Sequence, residues 1–380
     1  LEVVGRLDAS HTNCVRALTK LFVHICKTFG PAFTDTKVTP KFQAVLNVPK
    51  EQYHTLVRSG QSAIAKATLP VFLCGVLGSH YREDDRHQIS HYLQEAIVIL
   101  GQCQAPQDSI HLAFNDLHAN PTYHELLLAA LWSCVVHTSS SVRIVTARLF
   151  ELLAKGINES LVSSRVVPAL ITLSGDSDVS VRVATIPAFG TILENTNQKE
   201  TLDRVYTQFQ TFLDDTNYTQ EHALMVQVIH TLGKIGPNSE PKFRDEFILP
   251  RLAAMAYTNS HSTNDANRAE VAMALFEAYS AISCCFLSVD LIRDAMLPGL
   301  RCLRKDMETV LPEHEGVVSS MIKDFESKIQ GKERSSSFNN MAHNIQGHVA
   351  HLGEDARKKM ASKIGAQKTK MGNVFSRKKP

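Results

Sequence analysis

Apolar side chains recur along this chain at intervals of three and four residues. Val15, Leu18, Phe22, Ile25 and Phe29 follow the spacing 3, 4, 3, 4; Val142, Val145, Leu149 and Leu152 follow 3, 4, 3; Val271, Leu275, Ala278 and Ile282 follow 4, 3, 4. This is the period of helices that each bury one face. No comparable run alternates with period two, so strands are not expected.

The stripes are themselves spaced. Ser141-Val142-Arg143-Ile144-Val145 and Ser180-Val181-Arg182-Val183-Ala184 place their Val-Arg pairs 39 residues apart, and Cys14-Val15-Arg16-Ala17-Leu18 carries the same marker. Degenerate copies stand at Glu221-His222-Ala223 and Asn267-Arg268-Ala269. A partner helix with a Pro early in it is predicted before each stripe, at Leu69-Pro70, Val167-Pro168, Leu249-Pro250 and Leu297-Pro298. Turns such as Ser174-Gly175-Asp176-Ser177-Asp178 separate the two helices and can cap the second. A period near forty is that of HEAT and armadillo units, in which one hairpin cannot bury its own apolar face and stacking does so. The expectation is an all-α fold, an α-solenoid of about seven or eight HEAT-type hairpins over 1–330. A basic tail follows at 331–380. The irregular segment 30–50, with three prolines, and an insertion rich in Asn, Ser and Thr at 259–267 are expected to interrupt the array.

In such repeats, Asp in the turn and Arg in the second helix commonly form ladders between neighbouring units. Arg16, Arg143, Asp176, Asp178 and Arg182 are therefore assigned to structure before partner binding.

Composition agrees with helices. Apolar residues make up 44% of 380, aromatics only 7%, fewer than a sandwich or barrel usually carries. No stretch reaches the ~18 uninterrupted apolar residues of a membrane span. The eight cysteines include no C-x-x-C pair and sit mostly in apolar runs, which favours a reducing compartment over disulfides or zinc. The sequence opens on Leu1, and further chain is expected before it.

Charge is uneven. Residues 331–380 hold 11 Lys/Arg against 3 Asp/Glu, a net of +8, which leaves the remaining 330 residues with 29 against 35, a net of −6. After a polar stretch at 331–340, a weak apolar stripe runs through Met341, Ile345, Val349, Leu352, Met360 and Ile364, predicting an amphipathic helix over about 341–364. Nine basic residues and no acid occupy the chain from 357 on: Arg357, Lys358, Lys359, Lys363, Lys368, Lys370, Arg377, Lys378 and Lys379. Basic residues interspersed with apolar ones suit an anionic membrane surface, at about 1 kcal/mol per basic residue, or a membrane-protein partner. RNA binding, nuclear import and an uncommitted tail share that composition; no nucleic-acid partner is expected.

Catalytic motifs are wanting. No G-x-x-x-x-G-K-[ST], G-x-G-x-x-G or G-x-S-x-G occurs, and His124-Glu125 and His314-Glu315 lack the second His of a zincin. His80, Glu83, Asp84, Asp85, His87 and His91 approach a metal constellation, with His87 and His91 one turn apart. Acids near a helix start also favour its dipole, and the surface role is preferred. No metal, cofactor or catalytic residue is assigned, and an enzyme is not expected.

The segments SSSVRIVTARLFELLAKGI, GDSDVSVRVATIPAFGTILENT and NIQGHVAHLGEDARKKM make the chain resemble the C-terminal part of the LisH, coiled-coil and HEAT-repeat family of recycling endosomes. The resemblance implies a cytoplasmic adaptor, peripheral on recycling endosomes and the trans-Golgi network. It would bind a Rab-type small GTPase and an oxysterol-binding protein and so support cholesterol transfer. It supplies no binding residue that can be matched by position. A HEAT-type transport receptor or phosphatase scaffold for soluble partners remains the alternative.

Overall fold

The computed structural model describes residues 12–38, 118–214 and 221–329, with isolated helical positions at 40, 90, 93, 94, 97, 98, 101, 114 and 115. The chain divides into two compact units, Leu1–Leu224 and Met225–Pro380. Among the described residues there is no strand, and the fold is an all-α helical solenoid.

In the first unit, α1 (Thr12–Phe33) stands at the start of the described chain. From residue 121 the helices come in pairs. A 3₁₀ turn (Pro121–Tyr123) leads into α2 (His124–Val135), which is followed by α3 (Ser140–Ala154). Next, α4 runs over 159–174, built from Glu159–Leu161, a π-helical turn Val162–Val166, and Val167–Ser174. It pairs with α5 (Val179–Asn195), and α6 (Lys199–Asp214) opens the next repeat. First helices touch first helices and second touch second, with α3 against α5 the most extensive contact of the unit. The core between the layers is aliphatic and aromatic: Leu127, Leu131, Val142, Leu149, Phe150, Leu170, Val181, Phe189, Phe209 and Phe212 are all completely buried.

The second unit repeats the plan. The helix α7 (His222–Ile235) reaches into it, and α8 runs over 241–260 (Pro241–Phe243, the π turn Arg244–Ile248, Leu249–Ser260). It pairs with α9 (Asp265–Ile282). The last pair is α10 over 289–310 (Val289–Leu291, the π turn Ile292–Met296, Leu297–Val310) with α11 (Pro312–Ile329). A Cβ at Gly233 of α7 would stand 2.7 Å from the Ala278 Cα, so α7 and α9 cross with no side chain between their backbones.

One sequence expectation is extended and two need correction. Pro168, Pro250 and Pro298 stand in the first turns of Val167–Ser174, Leu249–Ser260 and Leu297–Val310, as expected, but each stretch continues a helix whose first residue (159, 241 and 289) lies nine positions before the proline. A proline there lacks the N–H for the i→i−4 bond and pushes against the carbonyl of the preceding turn. Each helix answers with a π turn just upstream, in which Val167, Leu249 and Leu297 donate five residues back to Val162, Arg244 and Ile292. The segment 259–267 is not an insertion. Asn259 and Ser260 end α8, a short turn follows, and the Asn264 side chain caps α9 through the Asn267 N–H at 3.3 Å. Its polar composition is that of a helix end and a cap. Finally, 31–38 is helical, not irregular. Gly30 takes a left-handed φ of 77°, open to glycine at no steric cost, and Pro31 starts helical turns that run into a π turn at Thr34–Val38. That break leaves Phe29, expected in the apolar stripe, 62% exposed and packed on Phe33 at 4.9 Å. Residues 41–50 and the helix around Pro70 lie outside the described residues. Among the described residues, 121–329 carries five helix pairs against the seven or eight expected over 1–330.

Tyr279 of α9 is completely buried, and its hydroxyl points at Gly299 of α10 without a hydrogen-bond partner among the described residues. A buried polar group without a partner costs about 1–3 kcal/mol. Tyr279→Phe is therefore expected to leave stability unchanged or raise it by about 1 kcal/mol, whereas Gly299→Ala, which drives a methyl into that hydroxyl, costs about 1–3 kcal/mol. The double variant recovers part of that loss. Urea unfolding of the full chain measures all three.

Candidate protein-interaction surface

The turns between paired helices are built around arginines. Arg143, in the first turn of α3, donates from Nη1 to the carbonyls of His137 (2.7 Å) and Thr138 (3.1 Å), in its own turn. Its Nε and Nη2 reach the two carboxylate oxygens of Asp176 in the next repeat, at 2.6 and 2.8 Å. One repeat on, Arg182 donates from Nη1 to the carbonyls of Asp176 (2.8 Å) and Ser177 (3.3 Å), and its Nη2 lies 3.7 Å from Glu221. In the second unit Arg268 meets Asp306 at 2.8 Å from both Nε and Nη2, and Asn259 Nδ2 donates to the same carboxylate (2.9 Å) and to the Arg268 carbonyl (3.1 Å). Asp306 is completely buried. Asp178 caps α5 by accepting the Ser180 N–H at 2.8 Å. Arg16 lies on α1; its side chain is outside the described residues.

Electrostatics follow from these contacts. Burial pushes the Asp176 carboxyl up, but the Arg143 hydrogen bonds, the Asp178 N–H and the guanidinium charge outweigh it and hold it below the usual range. Hydrogen bonds from the Ser140 hydroxyl and the Ser180 N–H lower Asp178 as well. The Asp176 contact raises Arg143.

The π turn of α4 has a second consequence. Because Pro168 has no N–H and the turn bonds five residues back, carbonyls just before it lose helical donors. Side chains from both neighbouring first helices approach them: Arg204 of α6 donates to Ser163 O at 3.2 Å, and Trp132 of α2 donates to Arg165 O at 3.1 Å. No local sequence pattern announces these contacts or that of Asp306.

Little here resembles a reaction centre. Burial raises the thiols of Cys26, Cys134, Cys284 and Cys285, the opposite of what an activated nucleophile needs. His124 bonds the His118 carbonyl at 2.7 Å, and His314 stacks on Phe276 at 5.4 Å. Among the described residues no cluster of three or more His, Cys, Asp or Glu could hold a metal. The cluster from His80 to His91 lies outside the described residues, as does the whole basic tail from Arg357 to Lys379. A solvent-open depression of 540 Å³ on α6, lined by Lys199, Glu200, Asp203, Arg204 and Thr207, carries mixed charge and no nucleophile with a base. No helix among the described residues is long and apolar enough to cross a membrane.

Exposed apolar side chains are the more informative feature. In the loop between α9 and α10, Cys285 and Leu287 are buried while Phe286 between them is 83% exposed. Its carbonyl accepts from Arg244 Nη2 at 3.2 Å, and Arg244 Nε binds Asp245 at 2.7 Å. Val289 is 44% exposed, and Ser288 caps α10 at the Leu291 N–H. The adjacent start of α8 stacks Phe243 on Phe247 at 5.0 Å.

The profile of the RAB11-binding protein RELCH C-terminal domain matches residues 65–324. The chain is 47% identical to the RAB11-binding protein RELCH homolog of Danio rerio, over 100% of this chain and 32% of that protein. It is 45% identical to the RAB11-binding protein RELCH of Homo sapiens, over 100% of this chain and 31% of that protein. The chain belongs to the RELCH family. It spans about a third of the length of the curated relatives it matches. The RELCH profile takes in every arginine contact above, all three proline-associated π turns, and the Phe286 loop. It stops short of the tail, through which the pairwise RELCH alignments continue.

Two measurements test the turn contacts. Arg268→Ala leaves the buried Asp306 carboxylate without its cation and is expected to cost about 3–5 kcal/mol. Adding Asp306→Leu should restore much of that, whereas independent losses would add. For Asp176 the folded-state pKa is depressed, so its contribution is complete above the ordinary carboxyl pKa of about 3.9 and is lost as pH falls through the lower folded value. Urea midpoints of the wild-type chain should drop between about pH 4 and pH 2, and Asp176→Asn should flatten that drop.

Proposed function

We propose that this chain is the helical-repeat region of a non-enzymatic scaffold that binds a Rab-type small GTPase and an oxysterol-binding protein. It would serve as a tether in cholesterol transport from recycling endosomes to the trans-Golgi network, peripheral on both. The observation that carries the reading is identity of 45–47% along the whole chain to proteins named for binding RAB11. The local chemistry supports a binding role: the polar clusters of the turns are spent on holding repeats together, and the exposed features left are apolar and charged surface. A stack of rigid hairpins presents such surface without the ordering cost that a flexible binder pays on association.

Titration calorimetry of the chain against RAB11, loaded with GDP or a non-hydrolysable GTP analogue, is expected to give saturable binding with a Kd of about 1 µM or tighter in at least one nucleotide state. Heat-silent titrations in both states, repeated without binding by interferometry, would sink the Rab assignment. The tail's share is separate. Flotation with phosphatidylserine vesicles should recover several-fold more wild-type chain than a variant with its nine basic residues from 357 on changed to Gln. Equal recovery removes the membrane role.

A further inference from the structure

Phe286 is held in a way that core packing does not require. Its backbone is pinned by Arg244, and its neighbours Cys285 and Leu287 are buried, yet its own ring stands in water. Val289 adds a second exposed apolar group, so the loop and the start of α10 offer a small fixed apolar patch. Its surroundings are acidic on balance. Glu240, Asp245, Glu246, Asp290 and Asp294 stand at the starts and π turns of α8 and α10 against Lys242, Arg244 and Arg293, and the two arginines are already paired with Asp245 at 2.7 Å and Asp290 at 3.1 Å. Over 225–329 the count is 11 Lys/Arg against 14 Asp/Glu, a net of −3, while 331–380 carries +8.

The place where the chain leaves the fold brings the two together. The last described helix, α11, ends at Ile329; its Glu326 binds Arg301 of α10 at 2.9 Å and it touches the π turn Ile292–Met296, so it runs back toward the start of α10, where Val289 stands. The ten residues 331–340 reach about 33 Å when extended, enough to bring 341–364 back onto the patch.

We propose that the patch of Phe286 and Val289 is a docking site for this chain's own C-terminal segment 341–364. The segment's apolar stripe (Met341, Ile345, Val349, Leu352) covers the two side chains, and its basic end (Arg357, Lys358, Lys359) meets the acids of α8 and α10. Docked in this way, the basic residues are withheld from an anionic membrane, and a partner or lipid surface must displace them. The proposal does not depend on the Rab assignment, because it is tested in the absence of any GTPase.

The experiment replaces Phe286 in the full chain by the photocrosslinker p-benzoylphenylalanine and maps the products by mass spectrometry. The expected product is a monomer whose adduct lies within 341–364, with a yield independent of protein concentration. That yield should fall at least threefold when Lys358 and Lys359 are changed to Glu. Circular dichroism confirms that the variants keep their helices. Adducts only on a second copy, only on 118–329, or none at all would overturn the proposal, as would a yield indifferent to the charge reversal.

Discussion

The planar guanidinium of Arg143 joins two problems that a stack of helical hairpins must solve at the same place. A tight turn between paired helices leaves carbonyls without helical donors, and adjacent hairpins need something more directional than apolar contact to fix their register. One nitrogen of Arg143 closes the carbonyls of residues 137 and 138, and the other two close on both oxygens of Asp176, 33 residues away. Arg182 repeats the first half of this arrangement on residues 176 and 177, so Asp176 is held by one repeat through its side chain and by the next through its backbone. A lysine could not do this, since its single ammonium has neither the fork nor the reach to serve two turns at once.

The first helices are registered by a different device with the same logic. A proline nine residues into α4 frees carbonyls that a regular helix would have used, and Arg204 and Trp132 from the flanking helices bind them. The loss of intrahelical bonds becomes a gain in contacts between repeats. In α8 and α10 the same π turn recurs at the same distance from the helix start. There the neighbouring contact differs: Arg244 of the π turn of α8 reaches forward to the carbonyl of Phe286.

Periodic features were legible in the sequence and solitary ones were not. The 3–4 spacing of Val271, Leu275, Ala278 and Ile282 located a helix whose four residues are all buried. The Val-Arg markers 39 residues apart led to Arg143 and Arg182, both of which donate to carbonyls of the turn before their helix. The prolines were placed correctly, in the first turns of Val167–Ser174, Leu249–Ser260 and Leu297–Val310; what no local pattern announced is that a π turn joins each of these stretches to a helix begun nine residues before its proline. Asn259 and Ser260 looked like a loop because their composition is polar; both are buried, and Asn259 bonds Asp306, 47 residues away, which no local pattern announces. Phe29 looked like core until the left-handed Gly30 turned the chain.

Phe286 shows the limit most clearly, and it also shows what a functional surface costs in this kind of fold. In the string Cys284-Cys285-Phe286-Leu287, simple apolarity would bury the ring. The Arg244 hydrogen bond fixes the carbonyl instead, the residues on either side turn inward, and the phenyl group is left in water. Leaving one large ring exposed forgoes about 1.5–3 kcal/mol of burial. The backbone that presents it is already ordered, so whatever covers the ring regains that energy with little further loss of conformational freedom. A segment tethered to the same fold through a ten-residue linker has a raised effective concentration in the competition to do so. The tail of this chain is such a segment, and its charge has the sign that the acids of α8 and α10 select.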